Sequence, residues 1–126
     1  MLAVKRLAHP LQLAFILAYC CGVGACTQQS RFSPIGLSQP ARPENCQVDV
    51  YRYNFPDRPY TEVSRLDVHL EKTHFVESAL DDAIADLKHQ ACLSGADAII
   101  NIRERRSMLL ETRIYHVTAT GIRYTN

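Results

Sequence analysis

Val76, Ala79, Leu80, Ala83, Ile84, Leu87 and Ala91 recur at steps of three and four residues, the strongest periodicity in the chain. That spacing lines one stripe of an amphipathic helix. Glu77, Asp81 and Asp82 crowd the early turns, where negative charge suits the helix dipole. Lys88 and His89 fall late, and Gly95 is a stop. Other segments alternate with period two. Gln47 to Tyr53 puts Val48 and Val50 on one side and Asp49, Tyr51 and Tyr53 on the other, the mark of a half-buried strand. Residues 54–59 hold Pro56 and Pro59 and read as a turn. Tyr60 to Glu71 points Leu66, Val68 and Leu70 inward. Val63 breaks that phase and predicts a bulge nearby. Asp97 to Arg103 reads as a strand with Ile100 and Ile102 on one face, Glu104 to Ser107 as a charged turn, and Leu110 to Tyr124 as a strand bent near Gly121.

The expected order is β-β-α-β-β, an α+β fold of two layers with one helix on one face of a four-stranded sheet. Val117, Ala119 and Gly121 are small enough to lie under the helix. Asp49, Tyr51, Tyr53, Asp67, His69, Asn101, Arg103, His116, Thr118 and Thr120 then share the open face. Tyr and Arg are enriched at binding hot spots, so Tyr51, Tyr53, His69 and Arg103 form the expected partner surface.

The N-terminus carries a different pattern. Lys5 and Arg6 precede an apolar run, Leu11 to Cys21, that ends in Val23-Gly24-Ala25-Cys26. The run is shorter than the roughly 20 residues of a spanning helix, and the layout is that of a secretory signal. The small residues before Cys26 read as a lipobox. They predict a signal peptide over 1–25 and a lipidated Cys26 as the first mature residue, whose acyl chains make the anchor in practice permanent. Thr27 in place of an Asp favours the outer membrane, with the domain facing the periplasm.

Composition then bounds the rest. The chain has 14 Lys+Arg and 13 Asp+Glu; without Lys5 and Arg6 the mature part has 12 against 13. No basic stripe stands out, which argues against nucleic acid. Residues 26–45, with Pro34, Pro40 and Pro43 and few large apolar side chains, predict a flexible tether of roughly 60 Å reach. The folding unit is expected over 46–126. Of the cysteines in the mature chain, Cys46 and Cys92 remain beside Cys26. They either pair, which an oxidising compartment permits, or sit as two small buried hydrophobes.

Ala91-Cys92-Leu93-Ser94-Gly95-Ala96-Asp97-Ala98-Ile99-Ile100, with Arg58-Pro59-Tyr60 upstream, resembles the small domain of YbjQ-like and RcsF-like bacterial envelope proteins. The resemblance spans Gln47 to Tyr124. It implies an envelope lipoprotein with a sensor-like or protein-interaction domain. That domain is rich in disulfides in the RcsF-like members, whereas this chain offers Cys46 and Cys92 alone, so no sensing mechanism carries over.

No motif of catalysis is present: there is no Gly-x-Ser-x-Gly elbow and no phosphate-cradling loop, and no cofactor is implied. A periplasmic metal-binding module using His69, His116 or the His89/Cys92 pair is the alternative to a partner-binding domain; His89-x-x-Cys92 on the helix could supply two ligands, and Asp67, His69 and Glu71 share one strand face. Neither set has zinc-site spacing with a second pair.

Overall fold

In chain order the elements are β1 (Gln28–Pro34), β2 (Asp49–Val50), β3 (Tyr60–Thr73), α1 (Leu80–Leu93), β4 (Ala98–Leu109) and β5 (Thr112–Tyr124). The computed structural model describes residues 27–73 and 75–126. The signal segment and Cys26 lie outside the described residues. Over the described residues the fold is α+β: one helix lies on a five-stranded mixed sheet of order β1-β3-β5-β4-β2.

The longest ladder joins β3 to β5 in antiparallel register and brings Leu66, Val68 and Leu70 opposite Ala119, Val117 and Tyr115. These six, all buried, face α1, which contributes Ala83, Leu87 and Ala91. Alternation in the strands and the three-four step in the helix thus converge on one core. Leu80 and Ile84 pack at its margin, half-buried. Ser64, next to the bulge at Val63, is buried beneath Gly121.

The helix is shorter than its stripe. β3 runs to Thr73, two residues past the expected end. The chain turns back over residues 75–79, and Val76 stays exposed. Ala79, in extended geometry, is the N-cap. Alanine has no capping side chain. The Asp82 carboxylate instead accepts a hydrogen bond from the Ala79 N–H at 2.9 Å, satisfying one orphan donor. At the other end Gly95 N–H bonds to Cys92 O and Ala96 N–H to Ala91 O, a Schellman closure. Gly95 has φ +78°. A Cβ there would come within 2.6 Å of Pro40 O, so the position also needs glycine for close approach.

The tether expectation is corrected over the described residues. Gln28 to Pro34 pair with β3 from Leu70 to Ser64 and form an edge strand. Over the described residues the sheet therefore has five strands rather than four, and residues 28–34, upstream of Cys46, are already part of it. Phe32 anchors the strand on the core. Pro34 sits at its end, where an edge tolerates the lost donor. The chain then wraps the C-terminal end of α1. Arg42 N–H donates to Cys92 O at 2.8 Å, and its guanidinium donates to Ala96 O at 2.8 Å and faces Asp97 at 3.3 Å. Cys46 and Cys92 are disulfide-bonded, with Cα atoms 5.9 Å apart.

β2 is only two residues long and pairs parallel with β4. Within β4 the register to β5 shifts between Ile100 and Arg103. Asn101 holds φ 53° there. The bulge corrects the expected strand faces. Ile102 packs on the helix-side core, while Ile100 joins Ala98 and Ile122 in a second cluster. The expected charged turn at 104–107 is also strand, since Glu104 to Leu109 continue to pair with β5. The hairpin closes at Leu110-Glu111.

Candidate functional site

The register sets the face away from the helix in rows across the strands. One row carries Arg31, Asp67, Thr118 and Arg103; the next carries Gln29, His69, His116 and Arg105. Asp67 is the hub. Its carboxylate meets the His116 Nε2 at 2.9 Å and the Arg31 Nε at 3.9 Å. His69 Nε2 lies 2.9 Å from a Glu71 carboxylate oxygen, and the two imidazoles stand edge-on with centroids 5.9 Å apart. Beside this network runs an open groove of about 900 Å³ lined by Arg31, Arg65, Asp67, Asn101, Arg103 and Thr118, among others.

The groove's charge is unbalanced. Arg31, Arg65 and Arg103 reach it from β1, β3 and β4, and Asp67 is the carboxylate among its lining residues. Asp67 is already engaged by His116 and Arg31. Among the described residues no carboxylate lies within ion-pair distance of Arg65 or Arg103. A planar guanidinium offers a fork of donors matched to carboxylate or phosphate.

The other end of the same face is apolar and tyrosine-rich. Tyr51, Tyr60 and Tyr124 pack on Ala98, Ile100 and Ile122. The Tyr124 hydroxyl donates to Asp49 at 2.7 Å. The Tyr51 hydroxyl, 3.0 Å from it, is then the donor between the two phenols. Burial, then these two partners, push the Tyr124 phenol well above its ordinary range, so it stays protonated. Arg58 lies over its ring at 4.1 Å. This corner fastens the end of β5 to β2.

The four residues expected as a partner surface therefore divide. Arg103 lines the groove and His69 stands one row away. Tyr51 is engaged in the tyrosine corner, which gives it a packing role. Tyr53 lies past β2 in the following loop and is 97% exposed. Arg65 shares the outward phase of Asp67 and His69 and was legible from alternation. Arg31 was not, because its strand carries no such pattern.

One ligand pair of the metal alternative is altered by the fold. Cys92 is in the disulfide, so the His89/Cys92 pair has no thiolate to offer. Among the described residues no group of three or more His, Cys, Asp or Glu is placed to hold a metal ion. Among the same residues no helix is long and apolar enough to cross a membrane. Comparison with family models, with curated proteins and with solved structures finds no match to this chain.

Proposed function

We propose that this chain is a bacterial envelope lipoprotein, held at the outer membrane by lipid on Cys26, whose domain binds an acidic segment of a protein partner on its open sheet face. The observation that carries the binding role is the convergence of Arg31, Arg65 and Arg103 from three strands on one open groove whose single carboxylate is already engaged. Guanidinium–carboxylate contacts are the strong, directional kind, and Arg is a frequent hot-spot residue. The Cys46–Cys92 bond suits an oxidising compartment. The likeness of Ala91 to Ile100 to the RcsF-like domain supports the same placement and a sensor-like role.

Crosslinked capture from intact envelopes tests the groove. Arg65→Ala with Arg103→Ala changes exposed side chains, so stability should move by no more than about 0.5 kcal/mol per site. Recovery of the crosslinked partner should fall at least tenfold, and wild-type capture should weaken with salt. Capture unchanged in the double variant would remove the groove from the binding surface. The anchor is tested separately. Cys26→Ser should leave an unprocessed, larger precursor, and mature-sized soluble protein from that variant would overturn lipidation.

A further inference from the structure

The β4–β5 hairpin ends in Met108, Leu109 and Leu110, which are 54%, 65% and 90% exposed. Leu110 sits in the turn at φ 53°. Left-handed backbone is uncommon for any residue but Gly, Asn or Asp, and hairpin turns of this kind favour those polar or small types. A bulky apolar residue in that conformation, 90% exposed at the hairpin turn, is held there against both local preference and solvation. Strain of this sort is a pointer to function when a second observation agrees.

The second observation is where the chain enters the fold. Thr27 O accepts a hydrogen bond from Glu71 N–H, so Thr27 is already fixed to the sheet. β1 runs antiparallel to β3, so the chain traced backwards from Gln28 heads towards Thr73. Thr73 stands opposite Thr112, and Thr112 opposite Leu109. Thr27 is thus two residues, about 7 Å along the strand, from the level of the tip. Across the sheet, three strand spacings separate β1 from β4, about 15 Å. Cys26 is joined to Thr27 directly, with Cα atoms about 3.8 Å apart. No slack lies between the lipid-bearing residue and the end of the sheet that carries the apolar tip. Phe75 and Val76, also exposed, follow β3 at the same end.

We infer that the tip Met108-Leu109-Leu110 docks into the bilayer interface beside the lipid on Cys26, so that the sheet stands on the membrane on two feet. The inference rests on the lipoprotein reading. Glu111, in the turn itself, keeps a charge at the tip and limits entry to the interfacial layer, the depth at which amphipathic segments lie. The occupant is lipid rather than a second copy, because a bilayer must lie within one residue of Thr27 once Cys26 is acylated. The groove, on the sheet face, remains open in this posture.

The chain has no tryptophan, so Leu110→Trp makes a single probe. The full lipidated protein is reconstituted in phosphatidylethanolamine–phosphatidylglycerol vesicles. Leu37→Trp, at an exposed site before the chain reaches α1, serves as the reference. Leu110→Trp should emit at shorter wavelength than Leu37→Trp. Brominated lipid should quench it, and it should resist aqueous iodide at least threefold better. If the protein floats with the vesicles but both probes emit and quench alike, the anchor stands and the docked tip is overturned. A blue-shifted Leu110→Trp that brominated lipid leaves unquenched means that protein covers the tip, which also overturns it. If the protein neither carries lipid nor floats, the lipoprotein reading and this inference fall together.

Discussion

The hydroxyls of Ser64 and Ser94 meet at 2.7 Å in the buried floor under Gly121. Ser94 donates onward to Ala91 O at 3.0 Å, so Ser64 is the donor to Ser94. The chain of bonds ties the bulge in β3 to the last turn of α1. A Cβ on residue 121 would fall 2.3 Å from Ser64 Oγ and 3.0 Å from Ala96 Cβ. Gly121→Ala should therefore lower stability by about 1–3 kcal/mol. Ser64→Ala alone should cost about 1 kcal/mol. In the double variant the worst clash is gone, so its loss should be smaller than the sum by at least about 0.5 kcal/mol, a coupling expected of residues in contact. Urea titration of the four proteins checks this, and strict additivity would mean that the two sites do not touch.

The Cys46–Cys92 bond closes a loop of 46 residues in sequence separation. In the chain-entropy model that contributes about 4 kcal/mol, a large share of the stability of a small domain. It also pins the wrapping segment, Arg42 included, against the end of α1. Cys46→Ala with Cys92→Ala should lower the denaturation midpoint sharply. Added reductant should move the wild type towards the double variant and leave the variant unchanged. A wild type indifferent to reductant, with thiols shown to be free, would sink the prediction.

The helix stripe and the β3 alternation were legible because each has one buried and one wet face, so polarity follows the period. Ala83, Leu87 and Ala91, and Leu66, Val68 and Leu70, are core for that reason. Val63 marked its bulge by breaking phase. β1 was not legible. Gln28 to Pro34 has one large apolar anchor, Phe32, and the strand is held by backbone bonds to β3 that side-chain patterns do not encode. β4 beyond Arg103 was missed because that part of the hairpin is exposed on both faces, leaving nothing to alternate. In the site, His69 followed from the outward phase, and Arg103 from alternation with Ile102 alone, since the bulge puts Ile100 on the other face. Tyr51 carried the same phase but meets Tyr124, far along the chain, and only the fold brings those two together.

The start of α1 should respond to acid. The Asp82 carboxyl is held below its ordinary range, first by the Ala79 N–H and then by Lys72 at 3.1 Å. A folded-state pKa below the unfolded value, about 3.9, gives a contribution that is full above the unfolded pKa. It is lost as pH falls through the folded pKa. Asp82→Ala should thus be less stable than wild type at neutral pH, with the gap narrowing below about pH 4. The change of gap with pH is the measurement, because the helix propensity of alanine shifts all pH values equally. A gap constant down to acid would mean that Asp82 does not hold the Ala79 amide.

Asn101 decides which way Arg103 points. Its φ of 53° and the register shift between Ile100 and Arg103 turn the strand over by one residue. Without that step, plain alternation would put Ile100 and Ile102 on one face. With it, Ile102 reaches the helix-side core and Arg103 lines the groove. Asn tolerates left-handed backbone better than other non-glycine residues, and glycine tolerates it fully. Asn101→Gly should then fold with little change and keep partner capture. Asn101→Val, β-branched at positive φ, should lose about 1–3 kcal/mol. If part of the Val variant escapes the strain by slipping register, the slip would carry every following side chain to the other face. Arg103 would leave the groove, and capture would fall in the variant that is least stable. Thermal melts read against crosslinked capture separate the two effects. Equal stability of the Gly and Val variants would show that residue 101 is not left-handed, and the placement of Arg103 in the groove would lose its basis.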